Sequence, residues 1–110
     1  MGYRSDVVFA TTDENVKKLF LACSDKAAVN IAQYASIHKR DDWTLFSWSD
    51  VKWYSEYAEV DAVEKFVDTL DEGEYEFHVM GEEHEDYTVR GDQGNSPFGI
   101  YLSRELNFDP

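Results

Sequence analysis

Between Trp43 and Tyr57 the chain reads WTLFSWSDVKWYSEY, six aromatic side chains in a short stretch, and no other segment carries comparable apolar weight. Aromatic side chains bury the largest areas of any residue type, so this segment constrains every fold the chain can adopt. The spacing predicts a β-hairpin with a two-residue turn at Ser49-Asp50, residue types that favour turns. That turn sets Trp48 opposite Val51 and Phe46 opposite Trp53 on one face, and Leu45 opposite Tyr54 and Trp43 opposite Glu56 on the other. The first face is expected to be core. The second, mixed with polar residues, is expected to line the other side of the sheet or a partner surface. One strand running into a helix near Asp50 is the other arrangement the segment allows, and it leaves the fold class unchanged.

Upstream, the apolar run Val7-Val8-Phe9-Ala10 within Tyr3 to Thr11 predicts a central strand covered on both faces. Thr12 or Asp13 offers an N-cap, and Val16, Leu19, Phe20 and Cys23 follow at helical spacing. Ser24-Asp25 then leaves two readings open, one kinked helix or two short ones, with Ala28, Ile31, Ala32 and Ala35 continuing the stripe. Lys39 and Arg40 are expected near a helix C-terminus, where cations are favoured. Downstream, Val60, Val63, Phe66, Val67 and Leu70 predict a second amphipathic helix, stopped by a left-handed Gly73, with Asp61 and Glu64 facing out. Glu74 to Met80 alternates strictly. It predicts a strand with Tyr75, Phe77 and Val79 inward and Glu74, Glu76 and His78 outward. An acidic turn over residues 81–86, a short strand Tyr87 to Arg90, a loop Gly91 to Gly99 and a final strand through Ile100, Leu102 and Leu106 complete the chain. The order β-α-β-β-α-β with one or two extra C-terminal strands predicts an α+β, ferredoxin-like two-layer sandwich in a single domain spanning residues 1–110.

Charge narrows the function classes. The net charge is -13, with a pI near 4.4. From Met1 to Ser49 six acids balance six bases, so the whole imbalance lies from Asp50 onward, where seventeen acids face Lys52, Lys65, Arg90 and Arg104. Phosphate affinity comes from lysine and arginine, so direct nucleic-acid binding is not expected. A basic protein surface is the better match. No apolar run approaches a membrane span, and the N-terminus lacks the basic and apolar regions of a signal peptide, so a cytoplasmic location is expected. Cys23, the only cysteine, has no disulfide partner within the chain and is expected in the core.

Met1-Gly2-Tyr3-Arg4-Ser5-Asp6-Val7, the stretches Thr44-Leu45-Phe46 and Val51-Lys52-Trp53-Tyr54, and Gly81-Glu82 before an acidic run resemble a group of small proteins encoded by tailed bacteriophages. That group has no assigned activity, so no catalytic or binding residue is carried across. The resemblance implies origin, namely expression in the cytoplasm of an infected bacterial host, where small accessory proteins act on host machinery.

No pattern of catalytic residues stands out, and no cofactor is expected. His78 with Glu82, Glu83, His84, Glu85 and Asp86 offers oxygen and nitrogen donors, but the spacing matches neither an EF-hand nor HExxH, and a solvated acidic turn is the expected reading. The glycines at 91, 94 and 99 form neither GxGxxG nor a Walker loop, and His38 lacks a paired nucleophile. The expected function is therefore that of an acidic accessory protein, not an enzyme, that binds a basic host protein. Its expected contact residues are Glu74, Glu76, Glu82, Glu83, Glu85 and Asp86, with Trp43 and Tyr54 as apolar anchors, and nucleic-acid mimicry is the special case. A metal-dependent enzyme built on His78 and Glu82 to Asp86, or a structural protein of the phage particle, are the competing readings. The binding reading predicts that chelator leaves the melting temperature unchanged; a large downward shift would favour the metal-dependent reading.

Overall fold

Val7, Val8, Phe9 and Ala10 are all buried, and the strand that carries them, β1 (Ser5–Thr12), lies in the middle of the sheet. An unbroken apolar run has no solvent face, so it needs cover on both sides and a partner on each edge. The computed structural model, which describes residues 4–82, 87–91, 96–102 and 106–108, provides all four. β2 (Ser36–Arg40), β3 (Trp43–Val51), β4 (Tyr75–Gly81) and β5 (Tyr87–Gly91) join β1 in an antiparallel sheet of order β2-β3-β1-β4-β5. Helices α1 (Asp13–Ala22), α2 (Asp25–Tyr34) and α3 (Ala58–Val67) pack on one face, and the class is α+β. No helix among the described residues is long and apolar enough to cross a membrane.

Of the alternatives the sequence left open, Thr12 is the first cap, and Ser24 caps a second, separate helix. The Thr12 hydroxyl accepts from the Asn15 N–H at 3.3 Å, and the Ser24 hydroxyl accepts from the Ala27 N–H at 3.1 Å. Each satisfies a donor that a helix start leaves free, and the second separates α1 from α2. Lys39 and Arg40 do not end a helix. The helical path stops at Ala35, and Ser36–Arg40 runs back along β3 as an edge strand. Cys23 sits half-exposed at the end of α1 instead of in the core.

The aromatic segment is not a hairpin: β3 ends at Val51, and Trp53, Tyr54 and Tyr57 lie beyond it. The hairpin lies one element earlier, where Arg40 pairs with Trp43 around Asp41-Asp42 and Asp41 takes φ 54°. Ser49-Asp50 marks an irregularity in β3 instead, since β1 pairs Val7 with Trp48 but Ser5 with Val51. Asp50 bulges there at φ 53°, and its N–H donates to Asp6 Oδ1 at 2.8 Å. Aspartate tolerates the left-handed region, so one residue signal serves a turn or a bulge equally well. The chain then passes through residues 52–57 into α3. The Thr44 hydroxyl donates to Asp13 Oδ1 at 2.6 Å, tying the hairpin to α1; this bond, with Lys39 nearby, holds Asp13 below its ordinary pKa.

Register sorts side chains into two cores. On the helix side Val7, Phe9, Phe46, Trp48, Tyr75 and Phe77 meet Leu19, Ile31, Val63 and Val67. Trp53 reaches this core from the 52–57 segment, its ring 4.9 Å from Trp48, but it remains partly exposed. On the opposite side Val8, Ala10 and Leu45 meet Phe98 and Ile100, with Trp43 and Phe108 at the margin. The last two short strands, β6 (Tyr101–Leu102) and β7 (Leu106–Asn107), pair antiparallel with each other in a separate sheet, in place of the expected single final strand. Gly73 does not close α3. It lies in a 3₁₀ turn, Glu72–Glu74, without a positive φ, after the helix has ended. Gly91 is the glycine that matters: at φ +85° a Cβ would lie 2.3 Å from the Tyr75 carbonyl oxygen.

Phe46 touches Phe9, Phe20 and Trp48 and is fully buried. Phe46→Ala should cost about 3–5 kcal/mol, whereas Leu21→Ser on the exposed side of α1 should change stability by no more than about 0.5 kcal/mol. Urea denaturation of both variants measures the difference.

Candidate functional site

The strict alternation of β4 sends Tyr75, Phe77 and Val79 to the helix side. Glu76 and His78 therefore face the other way, where the sequence leads one to expect solvent. Both are instead 0% exposed. The second core explains the reversal: Phe98 and Ile100, with Phe108 at the margin, cover that face of the sheet, and the neighbouring carboxylate and imidazole are enclosed with it. Glu76 is thus withdrawn from any partner surface.

Buried polar groups must find partners, and here they form a chain. The Ser96 N–H donates to Glu76 Oε1 at 2.9 Å, and the other carboxylate oxygen, Oε2, lies 2.9 Å from His78 Nε2. On the far side of the ring, Nδ1 lies 2.6 Å from the Tyr87 Oη. Burial first, then the nearby Glu76 charge, pushes the Tyr87 phenol above its ordinary pKa, so it keeps its proton at neutral pH. The phenol O–H then donates to Nδ1, which leaves Nε2–H to donate to Glu76. A phenol that resists ionisation is a poor nucleophile. The arrangement does hold three elements together, because β4, β5 and the covering segment each contribute a member.

Those of the expected contact residues that are described lie apart from one another. Glu74 stands at one end of β4, where its carbonyl accepts from the Thr11 hydroxyl at 2.9 Å, and Glu82 follows the other end, where a carboxylate oxygen accepts from the Arg4 N–H at 2.7 Å. The strand between them spans roughly 20 Å. Glu83, His84, Glu85 and Asp86 lie outside the described residues. Trp43 is half-buried at the start of β3, against the second core, and Tyr54 is half-buried beyond its end, with its ring 6.2 Å from that of Tyr57. A strand length of roughly 25 Å divides these two intended anchors. For a metal, both ring nitrogens of His78 are already engaged, and among the described residues no group of three or more His, Cys, Asp or Glu side chains is placed to hold an ion.

What the fold does gather is a second set of acids. Asp61, Glu64 and Asp68 recur along one side of α3 and its end, and Asp71 and Glu72 continue the series in the turn beyond. Lys65 pairs with Asp61 at 3.1 Å, while Arg90 reaches across from β5 to Glu64 at 3.7 Å and to Asp68. Asp71 and Glu72 are exposed and have no cation partner among the described residues. Helical spacing already marked Asp61 and Glu64 as outward; it carried no sign that the turn would extend them. No protein-family model, curated protein or solved structure matches this chain.

Tyr87 and Tyr75 both have pKa values raised by burial above the ordinary value near 10. The folded state thus binds these protons more tightly than the unfolded chain, a contribution fully present below about pH 10 and lost as pH rises through the folded values. Tyr87→Phe should lower stability at neutral pH by about 1–2 kcal/mol, through the lost bond to His78, and make the loss above pH 10 less steep. Thermal melts from about pH 7 to pH 12 test both effects; an unchanged alkaline slope would count against a raised Tyr87 pKa.

Proposed function

We propose that this chain is an acidic protein-binding module that docks on a basic protein surface, with its contact centred on the outer side of α3 and the turn that follows. One observation carries the reading: of the acids from Asp50 to Glu82, only Glu76 is buried, and every other one reaches solvent. Against them stand Lys52, Lys65 and Arg90 among the described cations, and the last two are already paired with α3 carboxylates. A field of one sign speeds encounter with an oppositely charged partner and repels nucleic acid. Nucleic-acid mimicry is the special case in which the partner's basic surface normally holds phosphate. The phage resemblance makes a host protein in an infected bacterial cytoplasm the expected partner. The strand order β2-β3-β1-β4, with all helices on one face, supports reading the scaffold as a ferredoxin-like sandwich, extended by β5 and roofed by the C-terminal segment.

Asp71→Lys with Glu72→Lys reverses two exposed charges outside both cores. Association with a basic partner recovered from bacterial extract should slow several-fold at low ionic strength and lose part of its salt dependence, with the melting temperature nearly unchanged. An unchanged association rate would mean that this surface only keeps the protein in solution.

A further inference from the structure

β2 ends the five-stranded sheet, with β3 on one side and no strand on the other among the described residues. It pairs with β3 from Arg40 opposite Trp43 to Ser36 opposite Ser47, across the two-residue turn Asp41-Asp42. In an antiparallel pair closed by such a turn, alternate residues direct their N–H and C=O groups to the partner strand. Arg40, His38 and Ser36 therefore face β3, and the peptide groups of Ile37 and Lys39 point out from the edge. An open edge is a template for another strand, and charged side chains commonly guard it. Here the guards are tied back into their own chain. Lys39 Nζ lies 3.4 Å from Asp13 Oδ2, Arg40 Nη1 donates to the Pro97 carbonyl at 3.4 Å, and the His38 ring centre is 5.0 Å from that of Phe108. Ile37, the large apolar side chain of the strand, is 47% exposed.

Charge narrows the occupant. Met1 to Ser49 carries six acids and six bases, while the whole net charge of -13 lies from Asp50 onward. The same neutral half holds Leu21, Val29, Tyr34 and Ile37, four of the five large apolar side chains exposed among the described residues. A basic partner is drawn to the acidic half, and an acidic one is repelled by the molecule as a whole. Two copies of this chain can meet through their neutral halves with the acidic halves turned away from each other. The strand is also its own complement. About a twofold axis at His38, Ile37 of one copy stands opposite Lys39 of the other, and the outward peptide groups of each pair bond to one another. The Ile37 side chain then lies beside the aliphatic stem of the second copy's Lys39. The two Asp41-Asp42 turns fall at opposite ends of the contact, roughly 20 Å apart, where their charges do not oppose it.

We propose that β2 pairs antiparallel with β2 of a second copy of this chain, joining two sheets into one across a twofold axis at His38. Tyr34, exposed two residues before the strand, is carried toward the Asp41-Asp42 turn of the other copy. The turn that holds Asp71 and Glu72 packs beside β5, at the other edge of the sheet, so the pairing leaves the proposed docking surface uncovered and is tested apart from it.

Sedimentation equilibrium of the full chain should show a monomer–dimer step with a dissociation constant below about 100 µM. Amide hydrogen exchange at Ile37 and Lys39 should slow as protein concentration rises through that range, while exchange in β5 should not. Ile37→Lys sets a like charge opposite Lys39 of the second copy and should raise the dissociation constant by about tenfold. Ile37→Glu, equally polar, sets an opposite charge there and should weaken the dimer less, with circular dichroism confirming that both variants are folded. Leu21→Ser, on the exposed side of α1, should leave the dimer intact. A chain that stays monomeric at about 100 µM, exchange at Ile37 and Lys39 that is independent of concentration, equal dissociation constants in Ile37→Lys and Ile37→Glu, or a dimer that Leu21→Ser dissolves would each overturn the proposal.

Discussion

Burial of β1 on both faces and both edges is the constraint on which the rest of this structure depends. Val7 and Phe9 project to the helices, Val8 and Ala10 to the C-terminal segment, and the strand pairs with β3 on one side and β4 on the other. Four consecutive apolar residues have no orientation that leaves one face in water. The helices alone therefore cannot complete the fold. A second layer has to form, and the chain after β5 supplies it with Phe98 and Ile100.

That second layer changes the chemistry of everything beneath it. Glu76 and His78 sit beside Ala10 and Val8 in the pairing of β1 with β4, so any cover over the alanine and valine also covers them. Once dry, a carboxylate and an imidazole are tolerable only with matched partners, which they find in each other, in Tyr87 and in the Ser96 backbone. The same chain that satisfies them fixes where the covering segment begins.

The distribution of charge follows the same division. Asp61, Glu64 and Asp68 flank the stripe of Val60, Val63 and Val67, and Asp71 and Glu72 are exposed beyond the helix, so water screens their mutual repulsion. Arg90 bridges this helix to β5 while its guanidinium lies 6.0 Å from the centre of the Phe77 ring, so one of the few cations in the acidic half serves both packing and neutralisation. The core thus forms with almost no contribution from the net charge, which remains at the surface to act at long range.

Local patterns were legible in the sequence by themselves. The central strand, a helix start at Thr12 or Asp13, the apolar stripe of α3 and the alternation of β4 all follow from neighbours a few residues apart, and the sequence determined them because propensity, spacing and capping act over that range. Where a signal had two physical outcomes, only tertiary structure decided. Ser49-Asp50 favours backbone that leaves the regular strand, which describes a turn and a bulge alike, and the choice fell to the pairing of β3 with β1. Lys39 and Arg40 suit a helix end, yet the free edge of β3 drew them into a strand. Alternation in β4 established which residues share a face but not which faces are dry. Whether Glu76 meets a partner or a core depended on a segment that begins twenty residues later, and no pattern local to β4 carries that information.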